Sequence, residues 1–502
     1  MPNIFAYIVL YGWPVFAFFL FRYLPTSRAM IWTMVLGYLF MPPANVAFDI
    51  PVLPAISKIE LASLSALIMA LGFNGRKSIK IPKHWLMRVI IAAYILVPVF
   101  SLLANPDPLF YFAGPIVYEV PGHVFSEIPS FVLARAFDVI PFILAYSFLH
   151  SKDHLTEVFV AIVTVATYHS VLLLFEIRFS PQLNIWIYGF FQHSFEQMVR
   201  GDGFRPIGFL YHALWLGFFM VLSIGASLSL YRHSEKTDKT AFFSSPDRVF
   251  NFLVQKRPMN IYLMLALYFV ALVVLSKSYG PIIYTIVVVS LLLTVRVKTQ
   301  ITIAMLIALI VVFYPLSKLL ALVPEDQIVG FFTALNHDRA GSLLFRLVNE
   351  TILFERVLER PLFGWGGYGR NLIFSGYGRI ITVPDGGWII ELGRYGLVGW
   401  ASQNGLMLAP VFLAYWKRNQ IANGELSPHL ATIALLLAIN GLDMLPNATL
   451  TILTFLISGA AWANLEGSPV KVASKPEHKQ QTSLRPSLIL TARPPQKKRT
   501  IL

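Results

Sequence analysis

Apolar residues run in blocks along this chain, and the blocks recur at membrane length. Two of them, "IYLMLALYFVALVVLS" (261–276) and "ITIAMLIALIVVFYPLSKLLALV" (301–323), have almost no charged interruption. A helix needs about 20 such residues to cross a hydrocarbon core. The pattern predicts about 12–13 spans, near 4–21, 29–47, 59–73, 86–104, 131–149, 155–176, 207–230, 260–276, 281–295, 301–321, 386–416, 429–445 and 447–464. The block at 386–416 counts as one broken crossing. No cleavage-site pattern follows the first block, so it reads as a span and not as a removed signal. The expected fold class is all-α: a polytopic transmembrane helix bundle over 1–465, with a large outward-facing helical loop at 322–385.

Composition agrees with that pattern. The chain is 56% hydrophobic and 13% charged, with a mean hydropathy of +0.64, too apolar to cover a soluble surface of this length. It has no cysteine, which excludes disulfides, thiolate metal sites and a thiol nucleophile. The His residues are scattered, no Asp-x-Asp occurs, and no metal or cofactor is expected.

The net charge of +14 changes the picture through its distribution. The loop "NGRKSIKIPKHWLMR" (74–88) holds five Lys or Arg residues and 231–259 holds six, while 105–130 holds none. Alternating crossings place all the basic loops on one side, which makes that side cytoplasmic. The loops 105–130, 177–206 and 322–385 then face outward, as does the N-terminus. The tail 466–502, rich in Pro, Ser, Lys and Arg, reads as disordered and cytoplasmic. The basic excess attracts anionic membrane lipids. Nucleic acid is not an expected partner, since no soluble basic domain exists to bind it.

The outward loop 322–385 carries six arginines (Arg339, Arg346, Arg356, Arg360, Arg370 and Arg379), and no lysine occurs between Lys318 and Lys417. Guanidinium binds carboxylate or phosphate through paired hydrogen bonds and stays charged. The competing reading is ion pairing within the loop, with Arg346 and Glu350 placed for an i, i+4 pair. Residues 340–358 read as an amphipathic helix lying on the membrane surface and ended by Pro361. The "GWGGYG" that follows either brings backbone close to a ligand, through Gly364 and Gly366, or forms a tight turn.

The passage "RLVNETILFERVLERPLFGWGGYG" resembles the O-antigen ligase and polymerase family of bacterial inner-membrane glycosyltransferases. In "DGGWIIELGRYGLVG", Asp385, Gly386, nine residues, then Gly396 and Gly399 match the spacing of a family motif. Asp replaces its His, and Gly its amide or hydroxyl residue. "RPIGFLYHALWLGFF" (205–219) resembles a second family segment, and "LSKSYGPIIYTIVV" (275–288) stands where the family has a Ser-Arg-Gly turn; the Arg is missing and Lys277 supplies the charge one position earlier. The likeness covers roughly 200–400.

The resemblance implies a GT-C-like bundle and periplasmic transfer or polymerisation of undecaprenyl-diphosphate-linked oligosaccharide onto an acceptor glycan lipid. Membrane lipids and a chain-length regulator protein are the other partners it implies. Arg346 and Arg205 are the leading cations for the diphosphate, with Lys277, Arg339, Arg360 and Arg370 beside them. Arg205 alternatively snorkels to a headgroup. Asp385 stands where the family has its catalytic His and acts as base or orienter, or else caps a helix. His212 is the other base candidate, or a structural His. Glu391 is satisfied most cheaply by Arg394. Asp for His favours a polysaccharide polymerase over a ligase. A transporter or flippase is the competing class, and a structural or sensor role leaves the arginine loop unexplained.

Overall fold

A computed structural model describes residues 1–43, 46–51, 53–200, 203–233, 259–335 and 337–467. The stretch 234–258 and the tail from 468, expected to be cytoplasmic, lie outside the described residues. So does the side chain of Arg339.

The chain is mostly helical, as the apolar blocks predict. In order the helices are α1 (Ile4–Tyr23), α2 (Thr26–Phe40), α3 (Lys58–Asn74), α4 (Trp85–Leu103), α5 (Ile128–Phe148), α6 (Lys152–Phe179), the short α7 (Leu183–Tyr188) and α8 (Ala213–His233). They continue as α9 (Met259–Leu275), α10 (Tyr279–Thr294), α11 (Val297–Leu319), α12 (Glu325–Leu335), α13 (His337–Leu358), α14 (Gly387–Trp416), the short α15 (Arg418–Ala422), α16 (His429–Asp443) and α17 (Ile452–Glu466). A helix stands at every expected block. Among the described residues seven helices are long and apolar enough to cross a membrane (α1, α4, α5, α6, α8, α11 and α14), and four shorter apolar helices accompany them. Two elements depart from an all-helical reading. An antiparallel hairpin pairs β1 (Leu109–Ala113) with β2 (Ile116–Val120), and β3 (Val199–Arg200) pairs with β4 (Gly203–Phe204).

The helices are apolar on both sides. Ala6, Leu10 and Ala17 of α1 are buried in the core, while Ile4, Ile8, Val15 and Phe19 on the same helix are exposed. An apolar outer surface costs nothing where lipid is the solvent, and the helix satisfies its own backbone there.

Contacts sort the loops into two ends. At one end Asn3 Nδ2 donates to Ile187 O (2.9 Å), Lys58 Nζ to Phe209 O (2.7 Å), Trp215 Nε1 to Ala448 O (2.8 Å) and Arg370 Nη2 to Asp107 O (2.8 Å). At the other Arg28 pairs with Glu157 (2.8 Å), His84 N donates to Glu466 (2.7 Å), and Lys152 Nζ to Gly424 O (2.6 Å). The loops expected on one face therefore meet at one end of the bundle.

Candidate functional site

The first end, where the arginine loop lies, gathers the chemistry. The segment 205–212 is held there by buried side chains. Glu176 of α6 accepts from Ile207 N (2.8 Å) and Gly208 N (2.7 Å), Gln192 Nε2 donates to Gly208 O (2.8 Å), and Lys58 Nζ to Phe209 O. Gly208 has a φ of +57°, and a Cβ there would lie 2.8 Å from His169. The gripped turn presents Arg205 and His212. Arg205 is 6% exposed and donates from Nε to Ser278 Oγ (3.1 Å) at the start of α10. His212 Nδ1 accepts from Leu214 N (3.0 Å) and so caps α8, while Nε2 meets Gln197 Oε1 (3.3 Å). Burial, then the charges of His193, Arg205, Arg346 and Arg200, push its pKa down to about 3. A ring held neutral and used as a cap is a weak proton acceptor, so the geometry favours the structural reading of His212.

Arg346 projects from α13. Its Nε pairs with Asp385 Oδ2 at 3.2 Å, each side chain about one third exposed (34% and 35%). Its Nη1 donates to Asn447 Oδ1 (3.1 Å) and Pro446 O (3.2 Å). Asp443 holds that loop by accepting from Asn447 Nδ2 (2.7 Å) and Thr449 Oγ1 (2.6 Å). Lys277, at a φ of +53°, donates to Arg200 O (3.1 Å). Arg200, Arg205 and Arg346 thus lie within electrostatic reach of His212, Lys277 reaches the Arg200 carbonyl, and Arg346 holds Asp385, so segments nearly two hundred residues apart meet here. The arrangement is cationic and fits an anion such as a phosphate.

Three local expectations are corrected. Arg346 does not pair with Glu350. That carboxylate takes Lys318 (3.4 Å), Tyr314 OH (2.9 Å) and Trp388 Nε1 (3.1 Å), three donors that outweigh an i, i+4 pair worth about 0.3–0.5 kcal/mol. Asp385 does not cap α14: the N-cap is Gly386. Glu391 pairs with Arg135 at 2.5 and 2.7 Å and not with Arg394.

The glycine passage, read as backbone close to a ligand or as a tight turn, packs with Arg360 and Arg370 against this chain's own backbone. α14 is broken at Gly396 (φ 64°, ψ −163°), which frees backbone groups within the bundle. The passage supplies their partners. Trp365 N donates to Gly393 O (2.8 Å), Gly366 N to Arg394 O (2.8 Å), and Leu397 N to Pro361 O (2.7 Å). Irregular backbone at such depth persists only when protein satisfies it. Gly364 (φ +66°) is required by the close approach, since a Cβ would stand 2.6 Å from the backbone of Arg394 and Tyr395. Gly366 (φ +81°) packs on His123. Arg370, 1% exposed, donates to Pro121 O (2.6 Å) and Asp107 O. Arg360 donates to Ala104 O and lies 4.7 Å from the Trp365 ring centre.

Sequence reasoning missed Arg200, Asn447 and the grip of Glu176. An acidic residue near the end of an apolar block was the only signal for Glu176. No protein-family model and no curated protein matches the chain.

Proposed function

We propose that the Arg346 cluster catalyses glycosyl transfer from a lipid-diphosphate-linked glycan at the outward, periplasmic face of a bacterial inner membrane, as a polysaccharide polymerase. The observation that carries this reading is the convergence of Arg205, Lys277, Arg346 and Asp385 at one end of a membrane bundle. In the reaction an acceptor hydroxyl oxygen attacks the anomeric carbon. The bond from that carbon to phosphate oxygen breaks, and the lipid diphosphate leaves with the electron pair. Arg346 and Arg205 stabilise the charge building on it. Asp385, one third exposed beside Arg346, takes the hydroxyl proton. The GT-C-like architecture belongs to this proposal, and a ligase differs from it only in the acceptor.

The test is polymer formation from purified lipid-linked repeat. Arg346→Lys and Arg205→Lys keep the charge but lose the planar fork, and each should cut transfer about 100-fold, the scale of one lost oxyanion donor. Asp385→Asn should do likewise. Near-wild-type transfer in all three folded variants overturns the site.

The break in α14 beside a polar cavity favours a second reading, a carrier of lipid-linked glycans. Gene deletion separates the readings. Capped single repeats mark a polymerase, accumulated lipid-linked polymer a ligase, and repeats retained on the cytoplasmic face a carrier.

A further inference from the structure

We propose that a polar cavity lined by α3, α4, α5, α14 and the start of α17 binds one neutral, hydroxyl-rich ring, the acceptor sugar of the transfer. The role of acceptor rests on the glycosyl-transfer reading; the binding of such a ring does not. The cavity has a volume of about 280 Å³ and reaches from the 450–452 loop to Tyr94 and Asp138, in the middle of α4 and α5. That is the small end of ligand pockets, room for a ring and not for a polymer. Glu391 on its wall lies in the second turn of α14, about 6 Å of helix rise from Gly387, and Asp385 is two residues before that helix, so the cavity and the proposed reaction centre share the start of α14.

The wall is built and rigid. Arg135 holds Glu391 through two bonds and lies between the rings of Tyr94 (4.4 Å) and Tyr395 (4.0 Å). Both members of the pair are nearly buried, at 7% and 5% exposure. Charged groups inside a membrane bundle are costly and point to function.

Other groups there keep unused valence. Asp138 accepts from Tyr94 OH (3.1 Å) through Oδ2, and its Oδ1 has no hydrogen bond among the described residues. Glu60 accepts both Ser57 donors through Oε2, leaving Oε1. Arg394 forms no ion pair among the described residues and reaches only Tyr395 OH, at 3.4 Å. An inorganic anion entering this cavity meets Asp138 and Glu60. A simple cation meets Arg394. A hydroxylated ring suits both, because each hydroxyl donates to a carboxylate and accepts from a guanidinium. Gln403, also on the wall, does either. Phe137 and Phe455 supply apolar surface for a ring face.

The chain has no cysteine, so one introduced thiol reports on the cavity. Ala134→Cys, on the wall, should react with a charged, water-soluble thiol reagent. Neutral hexoses, 6-deoxyhexoses and N-acetylhexosamines are the probes. At least one should slow the reaction by the occupancy factor 1 + [L]/Kd, and Asp138→Asn in the same background should remove that protection. Ile59→Cys serves if the first variant does not fold. Protection by ammonium or sodium ions, by inorganic phosphate, or by none of the sugars overturns the proposal. In the transfer assay Asp138→Asn should raise the acceptor KM more than it lowers kcat. A wild type with no transfer at all refutes the enzymatic reading and leaves the protection result standing.

Discussion

Replacing Gly364 by alanine should undo the docking of the glycine passage on the broken helix, and Gly369→Ala provides the comparison. Both glycines have positive φ, +66° and +71°, so both substitutions carry the left-handed strain of an L residue, about 1–2 kcal/mol. Both also gain the same small unfolded-state term. They differ in what the new methyl meets. At Gly369 it touches only the Phe374 and Leu372 side chains, at 3.4 and 3.5 Å, which is ordinary contact. At Gly364 it overlaps the Arg394 carbonyl and the Tyr395 nitrogen at 2.6 Å, and backbone does not rotate away. Relief requires the passage to lift, at about 1–3 kcal/mol for forced displacement in a packed interior. Lifting also breaks the bonds from Trp365 N and Gly366 N, worth about 0.5–1.5 kcal/mol each. The common terms cancel, so Gly364→Ala should be the less stable by about 2–6 kcal/mol. Thermal unfolding of both variants in one detergent, followed by tryptophan fluorescence, reads the difference. Equal losses in the two would refute the docking argument.

The buried pair of Arg135 and Glu391 gives a second expectation. Glu391→Gln strands a cation between two tyrosines and should cost about 3–5 kcal/mol, much of it recovered when Arg135→Met and Glu391→Leu are combined; a double variant as unstable as the single one contradicts this. His212 is neutral in the fold because burial and nearby cations lower its pKa from 6.5 to about 3. The stabilisation from that neutral form is complete above pH 6.5 and is lost as pH falls towards 3. Thermostability should therefore drop less between pH 7 and 4 in His212→Asn, which keeps a cap for α8, than in the wild type; parallel curves would show that the ring is not the titrating group. Finally, Cys at Tyr377, which is 67% exposed, should react with a membrane-impermeant thiol reagent in intact cells, and Cys at Lys77, in a basic loop, should not. The opposite pattern inverts the topology and removes the proposed periplasmic site.

The helices and their order were legible from sequence because burial in lipid is a local property. A block of apolar residues inserts whatever its neighbours do, and lysine and arginine counts mark its flanks. The amphipathic period over 340–358 likewise foretold α13. What only the tertiary structure decided was which polar groups meet. Local spacing favoured Arg346 with Glu350 and Glu391 with Arg394, yet helix packing joined Arg346 to Asp385 and brought Arg135 to Glu391 across 256 residues. A charged side chain takes the partner that helix packing leaves within reach, most strictly when both are buried as Arg135 and Glu391 are, and no periodicity in the chain encodes that. The glycine passage shows the same limit. Its composition left close approach to a ligand and a tight turn both open, and the break at Gly396 shows the passage closing on another stretch of this chain's own backbone.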